Sequence, residues 1–210
     1  MTGTIQARPE EKGNAGIDTI VETEIDQWII DMIDADSEAG KIVIEYVKRT
    51  KELTRILGKL TESYCGTTGC PKTNPNLGCC DQNHYEIVGP KEIQSLQEAE
   101  ARQNMTSTGL SEETPNSRTD NEECLYHTEQ GCSLELFRPP LCLGYLCGKL
   151  VSDIQGICLE EEALQFTQYM ARIKDCSLGE DPEKLFIWMD AAIEAGRTLI
   201  GYRNKLLEEL

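Results

Sequence analysis

The chain has 210 residues, 39% of them hydrophobic and 27% charged, which suits one domain of moderate size or a domain with a helical appendage. Its 37 acidic and 20 basic side chains give a net charge of -17, which repels phosphates and so excludes nucleic acid and anionic membranes as expected partners. The amino terminus has no signal-peptide pattern and the longest uncharged stretch, 139–148, is too short to span a bilayer. We therefore expect a soluble, cytoplasmic protein.

The first 62 residues predict a flexible arm followed by a helical hairpin. Residues 1–16 are polar and contain Pro9, Gly13 and Gly16, so we expect a loose arm. Residues 17–62 carry two apolar stripes at helical spacing, separated by turn and capping residues at Asp34, Asp36 and Ser37. The stripes are Ile17, Val21, Ile25, Trp28 and Met32, then Val43, Tyr46, Val47, Leu53, Leu57 and Leu60.

The section 63–150 is predicted to be the metal-binding region. Residues 64–90 are dense in Cys, Gly, Pro, Asn and Thr and predict a loop. "PKEIQSLQEAEARQN" predicts a helix with Pro90 in its first turn. Residues 105–121 have almost no apolar content and predict a mobile insertion.

The rest of the chain predicts helices. "RPPLCLGYLCGKL" is expected to begin a helix at its second proline, Pro140, because proline is tolerated in a first turn. Within the C-terminal section 151–210, we expect one helix over 159–173 and another starting at Asp181 and Pro182. The predicted fold class is mainly α: a helical bundle around a loop-rich, cysteine-ligated segment.

Ten cysteines in a chain without an export signal favour metal or redox chemistry over a disulfide framework. Vicinal cysteines seldom bond to each other, so Cys79 and Cys80 each need another partner. Four thiolates are the usual complement of a structural zinc ion or a cubane iron–sulfur cluster. Eight of the ten form two groups of four, which are the candidate metal ligands: Cys65, Cys70, Cys79 and Cys80, then Cys124, Cys132, Cys142 and Cys147.

The spacing within these groups favours a cluster over zinc. The gaps C-x4-C-x8-C-C and C-x7-C-x9-C-x4-C contain no C-x2-C knuckle, the common zinc arrangement, although zinc also tolerates wide spacings. Either four cysteines bind one centre while the others pack or pair, or both groups are ligands of separate or shared centres. His84 and His127 could each replace a thiolate ligand, although a solvated loop histidine is commoner. Cys158 and Cys176 are expected to be buried apolar thiols.

The second group sits on a predicted helix. Cys142 lies in its first turn, where free N–H groups favour a thiolate, and Cys147 follows five residues later. That step rotates a side chain by about 140° on a regular helix, so the two thiols share a face only if the helix is distorted, and we expect this at Gly144 and Gly148. Arg138 is the candidate cofactor-binding residue, offsetting cluster charge; a surface ion pair is the alternative.

Two stretches, "GCCDQNHYEIVGPKEIQSL" and "CLYHTEQGCSLELFRPPLCLGYLC", resemble the CxxCxxCC or YkgJ-like family of zinc- or iron-chelating proteins. The resemblance implies a cysteine-bound metal centre, and some relatives, such as flagellin lysine methylase, pair an iron–sulfur centre with methyl transfer. The gaps before the vicinal pair depart from the family pattern. The matching cysteine and arginine positions are Cys79, Cys80, Cys124, Cys132, Arg138, Cys142 and Cys147.

Three functions follow as hypotheses. The first is a protein with an iron–sulfur cluster, of the 4Fe–4S type, acting in electron transfer or supporting the metallocofactor chemistry of a partner enzyme, so that a protein partner is expected. The second is a structural zinc-binding interaction module. The third, by analogy with one relative, is a cluster-assisted methyltransferase, although no glycine-rich nucleotide loop or hydrolase elbow is present in the sequence.

Overall fold

The computed structural model describes residues 25–61, 91–107, 126–128, 131–132, 134–156 and 160–208. These stretches are mainly helical, which confirms the predicted mainly α class, whereas the loop-rich, cysteine-ligated segment stays a prediction. The predicted arm 1–16, the loop 64–90 and most of the insertion 105–121 lie outside them. The helices are α1 Gln27–Met32, α2 Glu38–Leu60, α3 Lys91–Ser107, α4 Pro140–Gly144, α5 Gly148–Gln155, α6 Glu160–Lys174 and α7 Pro182–Glu208. The strands β1 His127–Thr128 and β2 Gly131–Cys132 pair antiparallel.

The core lies where α2, α6 and α7 pack together. All six residues of the second predicted stripe are buried on α2, together with Ile56. Gly196 of α7 lets the helices approach closely, because a Cβ there would lie 2.4 Å from Cγ2 of Ile56 and 3.0 Å from Cε2 of Phe166. The apolar residues that α6 and α7 contribute are Ala163, Phe166, Met170, Ile173, Leu185, Met189, Ala192, Ile193 and Leu199.

The turn between α1 and α2 follows the predicted capping chemistry. Ser37 is the N-cap of α2: its Oγ accepts from the N–H of Gly40 at 2.9 Å and donates to the carbonyl of Asp34 at 2.6 Å. The first predicted stripe is wrong at its end. Met32 is 42% exposed and Ile29 is buried instead, because α1 ends after Met32 and the chain turns extended at Ile33.

Charged pairs join α2 to α7 beside the core. Arg49 donates two parallel hydrogen bonds to the carboxylate of Asp190, at 2.9 and 3.0 Å, and lies over the ring of Phe186. Glu52 accepts from Arg197 at 3.0 Å. These pairs connect the two long helices near the surface, where an ion pair contributes little, so most of the stability comes from the apolar core beneath them.

The other helix boundaries agree closely with the sequence. Asp181 caps α7, its Oδ1 accepting from the N–H of Lys184 at 3.0 Å, as the Asp-Pro pair predicted. The helix expected over 159–173 is α6, shifted by one residue. Because α3 runs to Ser107, residues 105–107 of the predicted insertion are helical. No helix in the described stretches combines the length and apolar character of a membrane span.

Candidate functional site

The described residues include part of the predicted ligand set. Cys142 and Cys147 have described side chains, and Cys132 is placed by its backbone in β2. Arg138 is also described. The remaining predicted ligands lie outside the described residues: Cys65, Cys70, Cys79, Cys80 and Cys124. The structure therefore shows how Cys142 and Cys147, the last two cysteines of the second group, are positioned.

A break in the helix separates Cys142 from Cys147. Helix α4 begins at Pro140, as predicted, and ends at Gly144. The chain is then extended at its next residue, and Cys147, with φ -68° and ψ 163°, forms the N-cap of α5. The distortion expected between the two thiols is thus present; it lies at residues 145–147, between Gly144 and Gly148, the two positions at which it was predicted.

Gly144 is required by the contact between α4 and α6. A Cβ at this position would lie 2.4 Å from the carbonyl oxygen of Met170 and 2.5 Å from the backbone nitrogen of Lys174. Both are main-chain atoms of α6, so the backbones of the two helices touch here without side chains between them. This contact fixes the C-terminal end of α4, two residues after Cys142.

The thiols of Cys142 and Cys147 are both half-buried, and neither forms a disulfide. Cys147 packs partly against the hydrophobic core beside Leu146. Cys176, in contrast, donates its S–H to the carbonyl of Arg172 at 3.2 Å, and burial raises its thiol pKa. It is half-buried, not fully buried as predicted.

The segment before α4, residues 134–139, is anchored by a buried carboxylate. Glu100 of α3 is 3% exposed and accepts three successive backbone N–H groups. One oxygen accepts from Glu135 and Leu136, each at 2.7 Å, and the other accepts from Phe137 at 3.0 Å. Three consecutive donors converging on one anion form the kind of backbone concavity that binds anions elsewhere. We call residues 134–139 the anchor segment.

Two further buried side chains hold the anchor segment through its carbonyl groups. Gln97 of α3 donates to the carbonyl of Phe137 at 3.0 Å. The hydroxyl of Tyr46, on α2, donates to the carbonyl of Arg138. Arg138 is itself 3% exposed, and its Nε donates to the carbonyl of Leu134 at 2.5 Å. The alternative that Arg138 is a surface side chain is therefore wrong, because the anchor segment turns it into the interior.

Burial dominates the electrostatics of Glu100. Loss of solvent raises the pKa of its carboxyl, the three backbone donors oppose that rise, and the nearby charge of Glu135 adds to it. The net pKa lies above the ordinary range for a glutamate. Burial thus destabilises the charged carboxylate, and its hydrogen bonds to the anchor segment offset only part of that destabilisation.

Glu100, Gln97 and Tyr46 were not predicted from the sequence as polar anchors. A signal was present in α3, where Ile93 and Leu96 mark the buried face and Glu100 follows at the next helical position on that face. A carboxylate at a core position of a helix requires buried hydrogen-bond donors. The sequence predicts that need, but does not identify the donors.

Among the described residues, no three His, Cys, Asp or Glu side chains group together as a metal site requires. Cys142 and Cys147 each offer a thiol sulfur, the donor type found in structural zinc sites and in iron–sulfur clusters. Comparison of the chain with protein-family models, curated proteins and solved structures gave no match. The resemblance to the YkgJ-like family therefore stays a prediction.

Proposed function

We propose that this protein binds an iron–sulfur cluster through its clustered cysteines and acts in electron transfer or in support of a partner enzyme's metallocofactor chemistry. The observation that carries the proposal is the helix break between Cys142 and Cys147. A continuous helix would aim these thiols in divergent directions, by about 140°. The break removes that constraint and puts Cys147 at the start of a new helix.

Cys147 lies at the N-terminal end of a helix, where backbone N–H groups are able to donate to a metal-bound sulfur. It is the N-cap of α5, an eight-residue helix whose first N–H groups have no partners within the helix. The N-terminal end of a helix favours an anion, and N–H groups near a cluster's sulfurs tune its reduction potential. The side chain of Cys147 makes no capping hydrogen bond of its own, which is compatible with a metal ligand.

Cys142 and Cys147 are both half-buried, and this position suits a centre that exchanges electrons with a partner. A fully buried cluster would be remote from another protein, whereas a fully exposed one would be open to solvent and oxidants. Arg138 would offset part of the negative charge of a thiolate-bound cluster, because its buried positive charge lies four residues before Cys142. The other ligands would come from Cys65, Cys70, Cys79, Cys80, Cys124 and Cys132.

The test begins with anaerobic purification of the full chain, followed by iron, acid-labile sulfide and zinc analysis and a visible spectrum. We expect iron and sulfide in stoichiometric amounts and a broad visible absorption band. A colourless protein without iron and sulfide would overturn the proposal. Stoichiometric zinc without a visible band would instead select the zinc-binding module, and retained S-adenosylmethionine beside a cluster would select the methyltransferase.

Single substitutions assign the ligands. Cys142→Ser and Cys147→Ser should each lower the iron content several-fold. Cys176→Ser is the matched control, since its thiol is also half-buried but hydrogen-bonds to the carbonyl of Arg172. Equal iron in all three variants and the wild type would show that the helix break is not part of the metal centre.

A further inference from the structure

The anchor segment is held through both its N–H groups and its carbonyl groups. Three of its backbone N–H groups donate to Glu100, and two of its carbonyl groups accept from Gln97 and Tyr46. The segment runs directly into Pro140, the first residue of α4. Helix α4 is therefore fixed at its start by polar groups of α2 and α3, and at its end by the contact of Gly144 with α6.

We infer that Glu100 is a positioning residue: its carboxylate, held by three consecutive N–H groups, sets the orientation of α4, which carries Cys142, and thereby the path of the chain that leads from α4 to Cys147. This inference rests on the proposed function for the purpose it assigns to those thiols. Its physical content, that a side chain on α3 controls the placement of two cysteines, is independent of which metal they bind.

The hydrogen-bond geometry explains why a carboxylate is needed here. One oxygen of Glu100 serves two donors and the second serves a third, so both oxygens must accept. Glutamine has nearly the same shape but only one accepting oxygen, and its NH₂ group would face an N–H group. At least one buried donor of the anchor segment would then be unsatisfied, and the segment would shift to find an acceptor.

Glu100 is also a costly way to hold a loop. Burial disfavours its charge, and a well-packed apolar contact usually stabilises a core position better than a buried ion. What three directed hydrogen bonds supply in addition is a unique backbone geometry. That combination is expected where the placement of the following residues matters more than the stability of the loop itself.

The experiment compares Glu100→Gln with Glu52→Gln in the full chain. Glu52 is the matched control because it is a partly buried helical glutamate whose carboxylate pairs with Arg55 and Arg197, whereas that of Glu100 accepts from the anchor segment. The first measurement is iron retained per chain during incubation with a chelator, alongside the unfolding midpoint. We expect E100Q to lose iron several-fold faster than E52Q, even where the two unfolding midpoints fall equally.

The second measurement does not depend on a bound metal. After chelator treatment, the alkylation rates of Cys142, Cys147 and Cys176 are followed by peptide mass spectrometry. E100Q should change the rates at Cys142 and Cys147 several-fold relative to wild type and leave Cys176 unchanged, whereas E52Q should leave all three unchanged.

The two measurements separate the inference from the proposed function. If wild type holds no metal, the proposed function fails and alkylation alone decides on Glu100. Unchanged alkylation at Cys142 and Cys147 in E100Q would overturn the inference. An equal rise at all three cysteines would also overturn it, since that is general loosening and not a change in position. Iron loss no faster than in E52Q, from a wild type that holds iron, would do the same.

Discussion

Substitution of Gly144 by alanine tests the contact that fixes α4. The added Cβ would meet main-chain atoms of α6 at 2.4 and 2.5 Å, whereas carbon normally approaches such atoms no closer than about 3.4 Å. Because backbone atoms cannot rotate out of the way, α4 must move away from α6 by about 1 Å, opening the packing beside Leu143.

The expected loss of stability is the difference between two opposing effects. Alanine is a better helix former than glycine by about 1 kcal/mol. Overpacking a tight contact costs about 1–3 kcal/mol, and the upper end applies here because the obstructing atoms belong to a helix backbone. The free energy of unfolding should therefore fall by about 2 kcal/mol, which for a chain of this size lowers the thermal midpoint by about 4–8 °C.

The assay is thermal and urea unfolding followed by circular dichroism, with Gly148→Ala as the control. Gly148 is the first residue of α5, and among the described residues no atom beyond its chain neighbours and its own helix backbone lies within 4 Å of a Cβ placed there. G148A should be neutral or more stable than wild type by up to about 1 kcal/mol. If G144A matches G148A in stability, the close contact between α4 and α6 is wrong and α4 is not held at that end.

Three further predictions address the bundle. Gly196→Ala should lower the free energy of unfolding by about 1–3 kcal/mol, because the added Cβ would clash with Ile56 and Phe166. Gly201 faces open space among the described residues, so Gly201→Ala should stabilise the protein by about 0.5–1 kcal/mol. Equal denaturation midpoints for the two variants would contradict this packing. Burial raises the pKa of Glu52, but its hydrogen bonds from Arg55 and Arg197 outweigh burial and hold the pKa below the ordinary value near 4.5. Its contribution to stability is therefore present above that pH and is lost as pH falls through the lowered pKa, so the urea midpoints of wild type and E52Q should differ at pH 7 and converge on acidification; a constant difference would refute this assignment. Ser37→Ala removes the N-cap of α2 and should cost about 1 kcal/mol, measured as a lower urea midpoint, and no change would show that the cap contributes nothing.

The parts of the fold that the sequence predicted are those set by local chemistry. The start of α4 at Pro140 and the caps at Ser37 and Asp181 depend on residues within one helical turn. The long stripe of α2 averages over many residues, so single exceptions do not obscure it. The prediction for α1 was wrong at Met32 because the described helix is six residues long, too short for periodicity to fix its face.

In the candidate site too, only the features set by local chemistry could be predicted from the sequence. The distortion between Cys142 and Cys147 could be predicted, because a step of five residues is incompatible with a shared helix face. The anchoring of the preceding segment could not, since its hydrogen bonds join residues 35, 40 and 92 positions apart. Arg138 shows the consequence: its residue type predicts a charged surface group, and only the tertiary path of the anchor segment places it inside.

The helical core around Cys142 and Cys147 is already well packed, and this decides whether a metal there would be needed to stabilise the fold. A structural zinc ion supplies folding free energy to a segment that cannot bury enough apolar surface of its own. Around Cys142 and Cys147 that need is small, because α4 lies on α6, the anchor segment is held by α2 and α3, and Leu143 and Leu150 are buried in the common core. The surrounding fold would therefore hold the thiols in place for a metal, and the metal would add little to the stability of the fold. Rigid support of this kind favours a centre whose geometry matters for reactivity, which is the reason to place the iron–sulfur proposal ahead of the zinc module.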